Sequence, residues 1–223
     1  MDLRDAWQAR ADVWIRWARS PELDRDFWNF HLAQFLGLLP PPGRLTIDVG
    51  CGEGRIGRAL TDARHRVVGL DAAFAMVKAA AGASRACSGI VGDAAMLPIR
   101  DRAADLVIAF MCLHDIDDMT AAVAEAARVL APGGRLAIAL LHPVQTARLA
   151  GHYATEHRYT LVTEQRAGQV MTFEGLHRPL TAYTSALAGA GLAIEAIREP
   201  LKTDGENASR PFLHLLARRP PAP

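Results

Sequence analysis

Residues 44–60, "RLTIDVGCGEGRIGRAL", pass from an apolar run through four glycines into a helical pattern. A strand, a glycine-rich turn and a helix N-terminus in that order make a cradle for a nucleotide. Glycine lets the backbone approach the ligand closely, and the helix end presents N–H groups with no partner inside the helix. The segment therefore predicts the first strand–turn–helix unit of an α/β sheet. Two spacings overlap in it, Gly52-x-Gly54-x-x-Gly57 and Asp48-x-Gly50-x-Gly52-x-Gly54. They point to different nucleotides and so to different chemistry.

Downstream, short β-rich runs alternate with alanine-rich helical runs. The pattern predicts strands over 45–49, 66–70, 88–91, 105–110 and 135–141 and helices over 53–63, 73–81 and 119–130, the last ended by Pro132-Gly133-Gly134. Such alternation implies a parallel sheet covered on both faces. After His142-Pro143 the rhythm breaks. Two hairpin strands are expected over 158–164 and 169–174 around Gly168, a helix over 180–190 ended by Gly191, and strands over 193–199 and 211–217. Upstream, Trp7, Ala11, Trp14 and Ala18 share one helix face. Ser20-Pro21-Glu22 reads as the start of a second helix running to about Leu39, where Pro40-Pro41-Pro42-Gly43 stops it. The expected division is a helical lid over 1–43, a nucleotide-binding domain over 44–219 with a substrate-side insertion at 142–179, and a tail at 220–223. The fold class expected is α/β, Rossmann-like and doubly wound, with a mostly parallel seven-stranded sheet.

In an open α/β sheet the ligand lies beyond the C-terminal strand ends. Asp71 ends the second expected strand, where an acid accepts ribose hydroxyls of NAD or of S-adenosylmethionine alike. Two features separate those ligands. Asp48 stands just before the glycines, and a carboxylate there is unfavourable beside a pyrophosphate but suits an ammonium and a sulfonium. Asp93, followed by Ala94, ends the third strand, where a carboxylate can accept an adenine amino group and a neighbouring backbone N–H can address a ring nitrogen. Asp48 has a second reading, as a cap for the N–H groups of its own turn.

With these residues in place the chain resembles the class I S-adenosylmethionine-dependent methyltransferases. "IDVGCGEG" resembles the family's first motif, "GLDAA" its ribose-binding acid, "GDAAMLP" its adenine-binding acid, and "ADLVIAFMCLHDIDD" and "EAARVLAPGGRLAIAL" its later strand, loop and helix segments. The resemblance covers roughly 45–141 and extends to small bacterial members acting on small molecules. It implies S-adenosyl-L-methionine as cofactor, held by Asp48, Gly50, Cys51, Gly52, Gly54, Asp71, Ala72, Asp93, Ala94 and Phe110. It implies in-line transfer of a methyl group to an oxygen, nitrogen or carbon nucleophile of a small molecule. The rival readings are an NAD-dependent oxidoreductase and a methyltransferase-like subunit without catalysis.

If the acceptor must lose a proton, a base is expected at the mouth of the sheet. His142 is the first candidate, since it leaves the fifth strand directly ahead of Pro143; Asp115, His114 and His177 follow, with Tyr183 as an orienting group. "HDIDD" has adjacent carboxylates that make a poor metal set by themselves, so no metal is expected. His65 is expected to face solvent, His152 and His157 to be solvated, and His214 to be structural. Trp7, Trp14, Trp17 and Trp28 all fall near the N-terminus, either docking the lid or walling the substrate site.

The bulk numbers fit this. The 223 residues are 50% hydrophobic and carry a net charge of +1, which gives no basis for tracking nucleic acid. The three cysteines, Cys51, Cys87 and Cys112, sit among small or apolar residues with no CxxC spacing, as expected for reduced thiols in the cytoplasm. The N-terminus lacks a signal-peptide core and no apolar run reaches membrane-spanning length. Monomer and homodimer both fit.

Overall fold

The structure, a computed structural model, describes residues 2–83, 88–163 and 168–221. Helix α1 (Leu3–Ala18) is capped by Asp2, whose carboxylate accepts from the Asp5 N–H, and buries Ala6, Ala11 and Trp17 on one face. The next helix does not start at Ser20, whose hydroxyl bonds back to the Arg16 carbonyl. Asp24 takes that place, accepting from the Phe27 N–H at 3.4 Å. The chain then widens into a π-helical turn (Phe27–His31) before closing to α2 (Leu32–Leu36).

The alternating unit follows as read: β1 (Thr46–Val49), α3 (Arg55–Asp62), β2 (Val67–Asp71), α4 (Phe74–Ala83), β3 (Ser88–Val91) and β4 (Ala104–Phe110). A 3₁₀ turn (Leu113–Asp115), α5 (Met119–Val129) and β5 (Leu130–Leu141) come next. Pro132-Gly133-Gly134 lies inside β5 and does not end the helix; pairing with β4 skips from Ala104↔Leu130 to Leu106↔Arg135 around it. Beyond lie α6 (Pro143–Ala150), β6 (His157–Val162), β7 (Thr172–His177), α7 (Leu180–Gly189), β8 (Ala193–Arg198), β9 (Lys202–Asp204), β10 (Asn207–Ser209) and β11 (Phe212–Arg218). The sequence pattern gives no sign of α6, β9 or β10. The expected ends of the 158–164 strand and of the tail, and Cys87, fall on residues outside the described set.

The main sheet has seven strands in the order β3-β2-β1-β4-β5-β11-β8. The first five are parallel, while β11 runs antiparallel to both β5 and β8. One face packs on α5 and α7 through residues such as Val123, Ala126 and Leu187. The other packs on α3 and the π-turn segment through Ile56, Phe27 and Phe35. Strand order reverses at β1/β4, so the C-terminal ends of those two strands open a crevice. Helix α1 lies across that crevice, packed on α4 through Ala11 and Met76 and walled by Met171 of the hairpin segment. Among the described residues no helix is long and apolar enough to cross a membrane.

Candidate active site

A cavity of about 760 Å³ fills the crevice, and the ends of β1, β2 and β4, the segment after β3, α1, the π-turn and the β6–β7 hairpin all line it. The glycine turn forms its floor. Gly50 has φ +67°, and a Cβ there would stand 2.5 Å from that of Cys112, so the turn demands glycine on both counts. The Cys51 N–H bonds the Leu70 carbonyl, the Gly54 N–H bonds the Cys51 carbonyl, and Gly54 opens α3. Asp71 pins the same turn: one carboxylate oxygen accepts from the Gly52 N–H and the other from the Ala73 N–H, both at 2.9 Å. Glu53, fully buried, clamps the turn between Arg19 of the α1 C-cap and Arg58 of α3.

Asp48, next to last in β1 beneath the turn, is 1% exposed, and its Oδ2 has no hydrogen-bond partner among the described residues. Burial first, and then the neighbouring Asp71, push its carboxyl up to about 8. The turn-capping reading therefore leaves this buried oxygen unexplained. Asp71 is raised mainly by burial, against its backbone hydrogen bonds. Asp93, after β3, accepts from the Ala95 N–H and pairs with Arg4 of α1. Ala72 and Ala94 line the cavity beside these two acids, as does Phe110 at the end of β4. Phe110 also packs against Phe27, His31 and Phe35.

After β4 the chain turns through Met111, a non-glycine residue at φ +55°. Left-handed geometry there is a local cost of the kind stored at functional sites. It swings His114 and Asp115 into the cavity wall. Arg178, 3% exposed in its side chain, fixes this turn from behind by donating to the carbonyls of Leu113, Ile116 and Asp117. His114 has an unpartnered Nδ1, and burial followed by the Arg178 charge pushes its ring down to about 4. Asp115 lies 3.7 Å from the His114 Nε2 and accepts from the Trp7 side chain. Burial raises its carboxyl well above the usual range. Gly175 of β7 makes room for this group: a Cβ there would lie 2.7 Å from the Tyr159 hydroxyl and 3.1 Å from the Asp115 Oδ1.

Three candidates are corrected by their positions. His142 does not line the cavity: its Nδ1 caps α6 by accepting from the Val144 N–H, and its Nε2 pairs with Glu199 at 2.7 Å. His177 is fully buried with both nitrogens engaged, by Thr146 at 2.8 Å and the Tyr153 carbonyl at 3.0 Å. Tyr183 packs in the core under α7, away from the cavity. His65, expected in solvent, is buried and bonds Thr46 at 3.0 Å. Asp118 caps α5, while Asp117 ties the α1 N-terminus and Arg158 of β6. His152 and His157 are exposed, and His214 is structural, as expected.

Other cavity residues carried no local signal. Arg55, the first residue of α3, stacks over Trp14 and Phe27 at 4.8 and 3.7 Å and pairs with Asp24 at 2.5 Å. His31 of the π-turn stacks on Phe212 with centroids 3.7 Å apart and meets His214 nitrogen to nitrogen at 3.0 Å. Their hydrogen-bond partners lie 31 and 183 residues away in sequence, beyond any motif.

Fold, cavity and acid order together resemble those of the class I S-adenosylmethionine-dependent methyltransferases. Residues 47–138 match the family model described as a methyltransferase domain. Among curated relatives, a malonyl-[acyl-carrier protein] O-methyltransferase of Methylococcus capsulatus is 32% identical over 63% of this chain and 52% of its own. A demethylmenaquinone methyltransferase of Renibacterium salmoninarum is 35% identical over 46% of this chain and 44% of its own. The chain thus spans about half the length of these relatives. A solved S-adenosylmethionine-dependent methyltransferase from Mesorhizobium loti shares the fold at TM-score 0.68 and 21% identity, over 86% of this chain and 99% of its own.

Proposed function

We propose that the chain transfers the methyl group of S-adenosylmethionine to a nucleophile of a small molecule, in the cytoplasm. The observation that carries this reading is the convergence of Asp48, Asp71 and Asp93 with the Gly50–Gly52 turn on one cavity at the switch point. The site fits the cofactor. The buried Asp48 carboxyl, with its orphaned oxygen, gains a counter-charge from a cation that lets it ionise and gains none from a pyrophosphate, which counts against NAD. Asp71 would hold ribose hydroxyls, Asp93 and the Ala94 backbone the adenine edge, and the glycine turn with Cys51 the amino-acid end. The cofactor supplies an electrophilic methyl carbon on a positively charged sulfur. This chain supplies alignment, a cavity walled by Trp7, Trp14, Phe173 and Leu161 that excludes water, and a proton acceptor in Asp115 or His114. The buried thiols Cys51 and Cys112 support the cytoplasmic reading. The acceptors named for the two curated relatives are not carried over, because the match spans only part of those proteins.

Calorimetry with S-adenosylhomocysteine and NAD tests the reading. S-adenosylhomocysteine should bind and NAD should not. Asp71→Ala should weaken binding by about 10- to 100-fold, the equivalent of one charge-assisted hydrogen bond worth about 1.5–3 kcal/mol. Tight NAD binding, or an Asp71→Ala variant with unchanged affinity, would overturn it.

A further inference from the structure

The cavity wall is acidic, and most of its acids are already balanced. Asp24, Asp26, Glu53, Asp93 and Asp117 each meet an arginine or lysine within the chain. Asp2 and Asp118 cap helices. Asp48, Asp71 and Asp115 remain, buried and facing no arginine or lysine in an ion pair among the described residues. In the proposed function, on which this inference rests, the cofactor takes the first two. Asp115 is left with the Trp7 N–H and the His114 ring, which burial keeps uncharged; the Arg178 guanidinium acts on it only through space, being bound to Glu156 and to three backbone carbonyls. A buried carboxyl in a ligand cavity without an ion-pair partner favours a cationic guest and disfavours an anionic one.

The surroundings of Asp115 carry the same preference. Trp7, Trp14 and Phe173 meet edge to face with centroids 5.6 to 6.3 Å apart, forming one aromatic wall. Aromatic faces attract cations in desolvated sites, and the Arg55 guanidinium already lies over Trp14 at 4.8 Å, so Trp7 and Phe173 are the rings of this wall left to a guest. The His114 side chain, in a residue 4% exposed on the same turn, keeps Nδ1 without a partner. It is a second polar atom left for a guest.

We propose that the methyl acceptor is an amine on an apolar or aromatic body, its ammonium received by Asp115 against the Trp7–Trp14–Phe173 wall. The ammonium yields one proton to the Asp115 carboxylate. The freed nitrogen lone pair forms the N–C bond as the C–S bond breaks, its electron pair staying on sulfur. The products are a methylated ammonium and a neutral thioether, and Asp115 returns its proton to solvent on release.

Calorimetry on the full chain saturated with S-adenosylhomocysteine compares three probes sharing one body: 2-phenylethylamine, 2-phenylethanol and phenylacetate. The amine is expected to bind at least 10-fold more tightly than the other two. Asp115→Asn should erase that preference while leaving S-adenosylhomocysteine affinity within twofold. Trp7→Leu should weaken the amine at least fivefold more than the alcohol, and stands in if Asp115→Asn does not fold. Equal or tighter binding of the alcohol or the carboxylate overturns the proposal, as does binding by none of the three or a preference that survives substitution. Failure of S-adenosylhomocysteine to bind overturns the proposed function instead, and the three probes are then scored without it.

Discussion

Asp48 shows how much one side chain sets here. An aspartate in an unfolded chain titrates near 4, and this one is pushed up to about 8 in the fold. The fold therefore disfavours its ionised form. That cost is absent below the unfolded pKa and grows as pH rises between the two values, by at most about 1.4 kcal/mol per pH unit. Thermal melts of the ligand-free protein should show a Tm falling from pH 5 to pH 8, and Asp48→Asn should flatten the curve and raise the Tm at pH 8. A flat wild-type profile would remove Asp48 from this role. The buried histidine pair has the opposite sign. The His214 ring is lowered to about 4 by burial and then Arg198, and His31 is lowered too. Their contribution is complete above about 6.5 and falls away below it, the His214 share being lost as pH falls through about 4. His214→Phe leaves the buried His31 Nε2 without its partner, at a cost of about 1–3 kcal/mol measurable by urea unfolding. At this scale the sequence was legible wherever a position belonged to a strand end: three local motifs place Asp48, Asp71 and Asp93 at the cavity. His142 and His177 misled, because what occupies them is distant: Glu199 lies 57 residues from the one and Thr146 lies 31 from the other. Pro143 behind His142 was read as a stiffener of a catalytic group, whereas it is the first residue of a helix that His142 caps.

Helix α1 is tied across the crevice by Leu3 to Asp117, Arg4 to Asp93, Trp7 to Asp115, Arg10 to Glu174 and Arg19 to Glu53. Two of those acids are assigned to ligands in the proposed function, so α1 must loosen where a ligand arrives. Trp7, Trp14 and Trp17 line the cavity while Trp28 does not. Tryptophan emission should therefore shift on titration with S-adenosylhomocysteine, and a flat signal at saturation would count against movement of α1. Arg4→Ala should raise the association rate several-fold in stopped-flow fluorescence, because Asp93 is then uncovered. A lower rate would make the pair a positioning contact instead. The helix itself was legible from Trp7, Ala11, Trp14 and Ala18, since a 3.6-residue period needs no tertiary help. The π-turn was not, because one extra residue per turn breaks that period, and it was read as part of an ordinary helix. Helix α6 was missed because its residues mix polar and apolar side chains without a clear stripe, and β9–β10 because each is three residues long.

For the molecule as a whole, the parallel half of the sheet was readable from alternation, but the closing strands depend on contacts that no local pattern records. Strand β11 lies between β5 and β8 and buries Phe212, Leu213, His214 and Leu215. A chain ending at residue 200 should therefore lack cooperative unfolding in circular dichroism, since β5 loses its neighbour and β8 its one sheet partner. A cooperative melt from that truncated chain would mean that the five parallel strands stand by themselves. The His31–Phe212 stack and the His31–His214 bond join the π-turn to β11 across the cavity wall. During synthesis on the ribosome His31 emerges 183 residues ahead of His214, and the aromatic and imidazole groups of the π-turn wait without these partners until β11 has been translated. Cofactor-binding residues of the early strands can gather first. The walled cavity is finished last, so a nascent or prematurely terminated chain gains the nucleotide floor before it gains a closed place to do chemistry.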